Sequence, residues 1–207
     1  MAKASPKRIK FELGWPAFVI EADRDYLLAR WIHFSGGGFH ARAGFFAHQA
    51  CEKYLKAIMV AATGEYLQTH RLPLLANECS DLHKMFSRTV FRTTITEFDG
   101  FDEVGRYGGA ANHSPLKTKN SDFEIAAGFV WSGRHLDLLD QCVFNLRSLF
   151  NWNTVTFRDQ IRAILENDLD AQLVVQWQGR PALKTVLLKR NRYFGTLPPP
   201  SATSAGT

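Results

Sequence analysis

The sequence predicts an all-α protein: an antiparallel up-and-down bundle of four to five helices with a C-terminal helical extension. Three observations predict it. Apolar residues recur at helical spacing over several long segments. The breaks between the first segments are short and glycine-rich, which forces consecutive helices to run antiparallel. No block of alternating, β-branched residues reads as a set of strands. The 207 residues are 45% hydrophobic and 22% charged, enough apolar material for a sizeable core.

Trp15-Pro16 opens the first helix, with apolar positions at Ala17, Ile20, Leu27, Leu28, Trp31 and Ile32, and Ser35 with the three glycines after it ends it. A second helix is expected from about Phe39 to Ala62, with Gly64 in the C-terminal capping position. Thr69 can cap a third, in which Pro73 is tolerated because the first turn has no internal N–H bond to lose. That helix carries Leu72, Leu75, Leu82 and Phe86 and should fray near Ser80-Asp81. Residues 89–105, with their β-branched side chains and Gly100, read as an irregular connection ending in a short helix, and 106–121 as a loop. A long helix over 122–150, with a break near Gly133, carries a stripe of Leu136, Leu139, Val143, Leu146 and Phe150. Beyond it come a helix over 156–177, a short basic helix over 182–192, and a tail over 195–207 of disordered composition. The expected division is a basic leader (1–14), the bundle (15–152), the helical extension (153–194) and the tail (195–207).

The net charge of +5 is unevenly placed. Lys3, Lys7, Arg8 and Lys10 make the leader basic, and residues 158–194 carry a second excess, which leaves the body between slightly acidic. Basic ends of this kind are solvated tails or contacts for polyanions. Cys51, Cys79 and Cys142 are scattered, without a Cys-x-x-Cys or a zinc-spaced Cys/His pair, so no metal framework is expected and no cofactor is implied. Three lone thiols and a polar N-terminus, with no apolar run of membrane-spanning length, predict a cytoplasmic protein with no membrane association. Gly-rich phosphate loops followed by Lys-Ser/Thr, GxSxG and HExxH are all missing.

Gln49, Glu52, Lys53 and Lys56 occupy i, i+3, i+4 and i+7 of the second helix and share one narrow face. Apolar residues fill its other faces, so the helix is central and packs against more than one neighbour. The polar stripe is then either the solvated side of a core helix or a working surface.

Three segments resolve into a resemblance. FFAHQACEKYLKA on the second helix, THRLPLL at the start of the third and EVGRYGG after it are similar, in order and spacing, to the HEPN family, the nucleotide-binding domain of higher eukaryotes and prokaryotes. The matching positions are Phe46, Gln49, Ala50, Glu52, Lys53, Leu55 and Lys56; Thr69, His70, Leu72 and Leu75; and Arg106 and Tyr107, within roughly residues 20–150. The resemblance implies a bundle of four or five helices, commonly a homodimer, that associates with nucleotides or RNA. It also implies, for part of the family, metal-independent ribonuclease activity in toxin–antitoxin and defence systems. Those enzymes use an Arg and a His a few residues apart, and a nucleotidyltransferase-type protein is a partner to be expected in a toxin–antitoxin setting.

The pair that fits here is Arg106 and His113, with six residues between them, at the long end of the family's spacing and in a Gly-Gly loop. A histidine can take the proton of a ribose 2′-OH and an arginine fork can hold the phosphate. The same residues also suit a structural ion pair or a plain phosphate contact. Arg42 and His48 have comparable spacing but stand ahead of the signature, and His70 suits a hydrogen-bonding role. Near the C-terminus, LLKRNRYF interleaves Lys189, Arg190 and Arg192 with aromatic residues, a composition for single-stranded nucleic acid or simply for a helix C-terminus. The nucleotide- or RNA-binding candidates are therefore Lys53, Lys56, Arg106, Tyr107, Lys189, Arg190 and Arg192. Three readings follow: a non-catalytic or regulatory binding module, an endoribonuclease using Arg106 and His113, and a purely structural dimerisation domain.

Overall fold

The computed structural model describes residues 6–35, 40–102, 131–150 and 181–193. Within them the order is β1 (Arg8–Lys10), α1 (Trp15–Ser35), α2 (His40–Thr63), β2 (Glu65–Leu67), α3 (Leu72–Cys79), a 3-10 turn (Lys84–Ser87), α4 (Thr89–Asp99), α5 (Gly133–Arg147) and α6 (Pro181–Leu188). The protein is all-α in class, with only this short two-stranded ribbon beside the helices among the described residues. α2 is the central element, packed against α1, α3, α4 and α5. Its fully buried Ala43, Ala47, Ala50 and Ala57 keep the surface flat enough for close neighbours. Gly44 is the extreme case: a Cβ there would stand 2.2 Å from the ring of Phe101.

Gly64 ends α2 as expected, in the left-handed conformation (φ 76°) with its N–H bonded to Val60 O at 2.8 Å. The chain then enters β2, which pairs antiparallel with β1 in the register Arg8↔Leu67, Ile9↔Tyr66, Lys10↔Glu65. Part of the basic leader is thus a strand. Rings of Phe11, Phe18 and Tyr66 pack beside it, with centroids 4.3 to 5.9 Å apart, and Arg8 reaches Glu78 of α3 at 2.5 Å. A three-residue strand offers too little alternation to read from sequence.

Four expectations are corrected by tertiary packing. In α1 the buried face runs through Val19, Ala22, Asp23, Tyr26, Leu27, Ala29 and Arg30, while Leu28 and Trp31, placed on the apolar stripe by spacing, are 39% and 57% exposed. α3 does not use Thr69 as its cap. Arg71 stands at the N-cap, and the Leu72 N–H is capped instead by Asp99 Oδ1 at 2.7 Å, from the end of α4. α3 also stops at Cys79, and Phe86 is buried from the separate 3-10 turn. The supposedly irregular stretch after residue 88 holds a full helix, α4, because Phe91, Thr94, Ile95 and Phe98 form an i, i+3, i+4, i+7 buried stripe. Burial of that stripe outweighs the few tenths of a kcal/mol that each Thr or Val costs in a helix.

The α5 stripe Leu136, Leu139, Val143, Leu146 and Phe150 is buried as expected, and the Gly133 break coincides with the start of α5. The expected helical residues 122–130, the helix over 156–177 and the tail lie outside the described residues. α6 covers 181–188 of the expected 182–192 and is held to the bundle by Arg30. This fully buried guanidinium pairs with Asp140 of α5 and donates to the carbonyls of Val186 (3.0 Å) and Lys189. Tyr26 donates to Asp140 Oδ1 at 2.7 Å and accepts from Asn191 Nδ2 at 2.8 Å.

Candidate functional site

The polar stripe of α2 is a seam of ion pairs, buried at Glu52 and Lys56 and partly exposed at Lys53. Glu52 is 4% exposed. Its Oε1 accepts from Lys56 Nζ at 2.7 Å, and both its oxygens lie 3.1–3.2 Å from His70 Nδ1. Burial by itself would raise the Glu52 carboxyl, but Lys56 and His70 together outweigh it and hold the group below its ordinary value. Lys56 is itself buried, its ammonium 5.1 Å from the centre of the Tyr66 ring. Lys53 turns the other way, to Asp25 at 2.6 Å and Glu21 at 3.9 Å on α1. Desolvation pushes Asp25 up to about 6 in spite of Lys53.

One turn before Glu52, His48 is fully buried. Desolvation lowers its pKa more than the carboxylates of Asp102 and Glu52 raise it, so the ring is neutral near pH 7. A single tautomer satisfies its contacts: Nε2–H donates to His70 O at 3.0 Å, and Nδ1 accepts from Gln49 Nε2 at 3.5 Å. The Gln49 amide also donates to Asp102 Oδ1 at 3.5 Å. Gln49 and Glu52 therefore serve one purpose, to clamp the turn ahead of α3.

The turn is held on its other side as well. Thr69 Oγ1 accepts from Arg71 N at 3.2 Å, Arg71 Nε donates to Asp99 Oδ2 at 3.1 Å, and Asp99 Oδ1 caps α3. His70 emerges with its side chain 59% exposed. The hydrogen-bonding role expected for it is present, directed at Glu52.

The remaining candidates separate by location. Arg106, Tyr107 and His113 lie outside the described residues. Lys189 Nζ sits 4.4 Å from the Phe34 ring centre. Arg192 bonds Asp137 and the Tyr193 hydroxyl, both at 2.8 Å. Arg190 is exposed, with a left-handed backbone (φ 54°) that ends α6. Among the described residues the cations of α2 and those after α6 share no partner; the first group belongs to the α1–α2–α3 seam and the second to the α1–α5 side. Among the described residues no cluster of His, Cys, Asp and Glu could hold a metal ion. Sequence reasoning weighed His48 only for its spacing from Arg42 and not for its place a turn before Glu52, and it passed over the Arg30–Asp140 pair, whose members are 110 residues apart.

An all-helical bundle whose second helix carries a buried Gln/Glu/Lys seam, tied to a Thr-His turn, defines the class of protein. The HEPN domain family model matches residues 21–129, just over half of the chain, and the protein belongs to the HEPN domain family. The match takes in the whole seam, from Glu21 to Asp102; α5 and α6 fall beyond it. No curated protein and no solved structure matches the chain.

Proposed function

We propose that the protein is a nucleotide- or RNA-associating helical module, dimeric and non-catalytic or regulatory. At family level it is a nucleotide- or RNA-related helical domain; the finer reading rests on the seam. Its described signature charges are paired, Glu52 with Lys56 and His70 and Lys53 with Asp25 of α1, and in this reading they serve as a scaffold. Contact with phosphates then falls to residues at the edge of the scaffold. In this reading the candidates are Arg106 and Tyr107, the basic stretch Lys189, Arg190 and Arg192, and the partly exposed Lys53, with Lys56 acting through the seam. No described helix is long and apolar enough to cross a membrane.

A second reading is favoured by one observation: Arg106 and His113 follow closely on Asp102, the last residue of the seam. In that reading His113 takes the 2′-OH proton, the 2′-oxygen attacks phosphorus, and the 5′-oxygen leaves and takes a proton from water, with Arg106 on the phosphate. A nucleotidyltransferase-type partner would accompany this form.

The test uses the full chain. Fluorescence anisotropy with a single-stranded RNA should show an affinity that weakens steeply with salt, and light scattering should give twice the mass of one chain. Affinity unchanged by salt, or none, removes the binding reading. Cleavage in chelator by the wild type and not by His113→Ala would move the conclusion to the enzyme.

A further inference from the structure

We propose that His70 contacts a phosphate of the bound nucleotide or RNA through its outward Nε2, an inference that rests on the reading above and adds a residue to its site. The geometry points to it in three ways.

The ring is held at one end only. Glu52 is an ionised acceptor, so His70 Nδ1 must carry a proton and donate it, at 3.1–3.2 Å to both carboxylate oxygens. Nε2 has no partner among the described residues and belongs to a side chain 59% exposed. It is the atom left to meet a ligand, and it is a donor when the ring is protonated.

The backbone beneath the ring is fixed independently. His48 holds the His70 carbonyl at 3.0 Å, Thr69 holds Arg71 N, and Asp99 holds both the Arg71 guanidinium and Leu72 N. Three side chains, one each from α2, the turn itself and α4, thus fix three residues. An imidazole fixed at both its backbone and its Nδ1 loses little freedom on meeting a ligand, which is the arrangement preorganised binding uses.

The buried carboxylate is more elaborate than packing requires. Lys56 alone would neutralise Glu52; the second interaction, with an exposed ring, does nothing to fill the core and serves to aim it. The acids around the turn are engaged as well. Glu52 is shared by Lys56 and His70, Asp99 by Arg71 and the α3 cap, and Asp102 accepts from Gln49. Arg71, its side chain 63% exposed and anchored among the described residues through Nε, offers a second set of N–H donors next in sequence.

The experiment compares wild type with His70→Asn, whose amide can replace Nδ1–H toward Glu52 but has nothing at the Nε2 position. Binding of a single-stranded RNA oligonucleotide and of a mononucleotide is measured by anisotropy and calorimetry at mildly acidic pH. Imidazole ¹⁵N signals are followed in the wild type. The expected result is an unchanged melting temperature with affinity for the RNA, or for both ligands, weakened about tenfold, the size of one hydrogen bond to a charged group. The Nε2 signal of His70 should move on addition of ligand while Nδ1 stays. Wild-type binding with an Nε2 signal that does not move, or with His70→Asn binding equally well, overturns the role of His70 and leaves the RNA reading standing. No binding of either ligand by the wild type overturns both.

Discussion

Removal of the Asp140 carboxylate should unfold the C-terminal clasp and take much of the protein's stability with it. Arg30 is 0% exposed and its guanidinium is met by Asp140 and by the carbonyls of Val186 and Lys189. In Asp140→Leu the arginine keeps two carbonyls and loses its counter-charge among the described residues, and the Tyr26 hydroxyl loses its bond to Oδ1. Breaking one member of a buried ion pair costs about 3–5 kcal/mol, because the other charge stays desolvated and uncompensated. With an m-value of about 2 kcal/mol/M in urea, the unfolding midpoint should fall by roughly 2 M. The double variant Arg30→Met/Asp140→Leu removes both charges and should recover more than half of that loss. It cannot restore the tether to α6, since methionine offers no donors to the two carbonyls. Amide hydrogen exchange over 185–193 should therefore remain fast in the double variant while the rest of the bundle is again protected. A loss below about 1 kcal/mol in Asp140→Leu, or slow exchange over 185–193 in the double variant, would refute this account of the clasp.

Three further outcomes can be measured. Gly44→Ala drives a methyl into the Phe101 ring and should lower stability by about 1–3 kcal/mol in thermal melts; the loss should shrink when Phe101→Leu is added. Asp25 is pushed up to about 6 from an ordinary 3.8, so between those values the native state holds a proton that the unfolded chain has released. Stability should therefore rise as the pH falls through that window, and the rise should be smaller in Asp25→Asn when urea midpoints are compared from pH 6.5 to 4. Cys51 and Cys142 face each other at 3.9 Å in the core, and burial pushes Cys79 up to about 12. A thiol reagent at pH 8 should modify none of the three in the native protein and all three in guanidinium.

The helices were legible where their own periodicity carried them. α2, the α5 stripe, the glycine stop at Gly64 and the family signature could all be read, because each is a local pattern of spacing or backbone conformation. α4 was not, because its threonines argue against a helix and only burial of Phe91, Ile95 and Phe98 argues for one. The α3 cap escaped notice since Asp99 lies 27 residues from the N–H it serves. The polar stripe shows the same division within one helix. Spacing put Gln49, Glu52, Lys53 and Lys56 on a single face, but whether that face was wet depended on what α1 and the Thr69–Arg71 turn set against it. Lys53 found Asp25, and Glu52 found His70.

From the sequence by itself came the helical class, the central place of α2 and membership of a family, since hydrophobic period and short motifs are properties of neighbouring residues. Only the tertiary structure decided that Glu52 and Lys56 are a buried pair and that Lys53 is paired with α1, that Arg30 fastens α6 to the bundle, and that His70 is turned outward from the seam. Each of those depends on which groups share a desolvated space. Partners 18 to 159 residues apart are brought together by packing and leave no trace in local spacing.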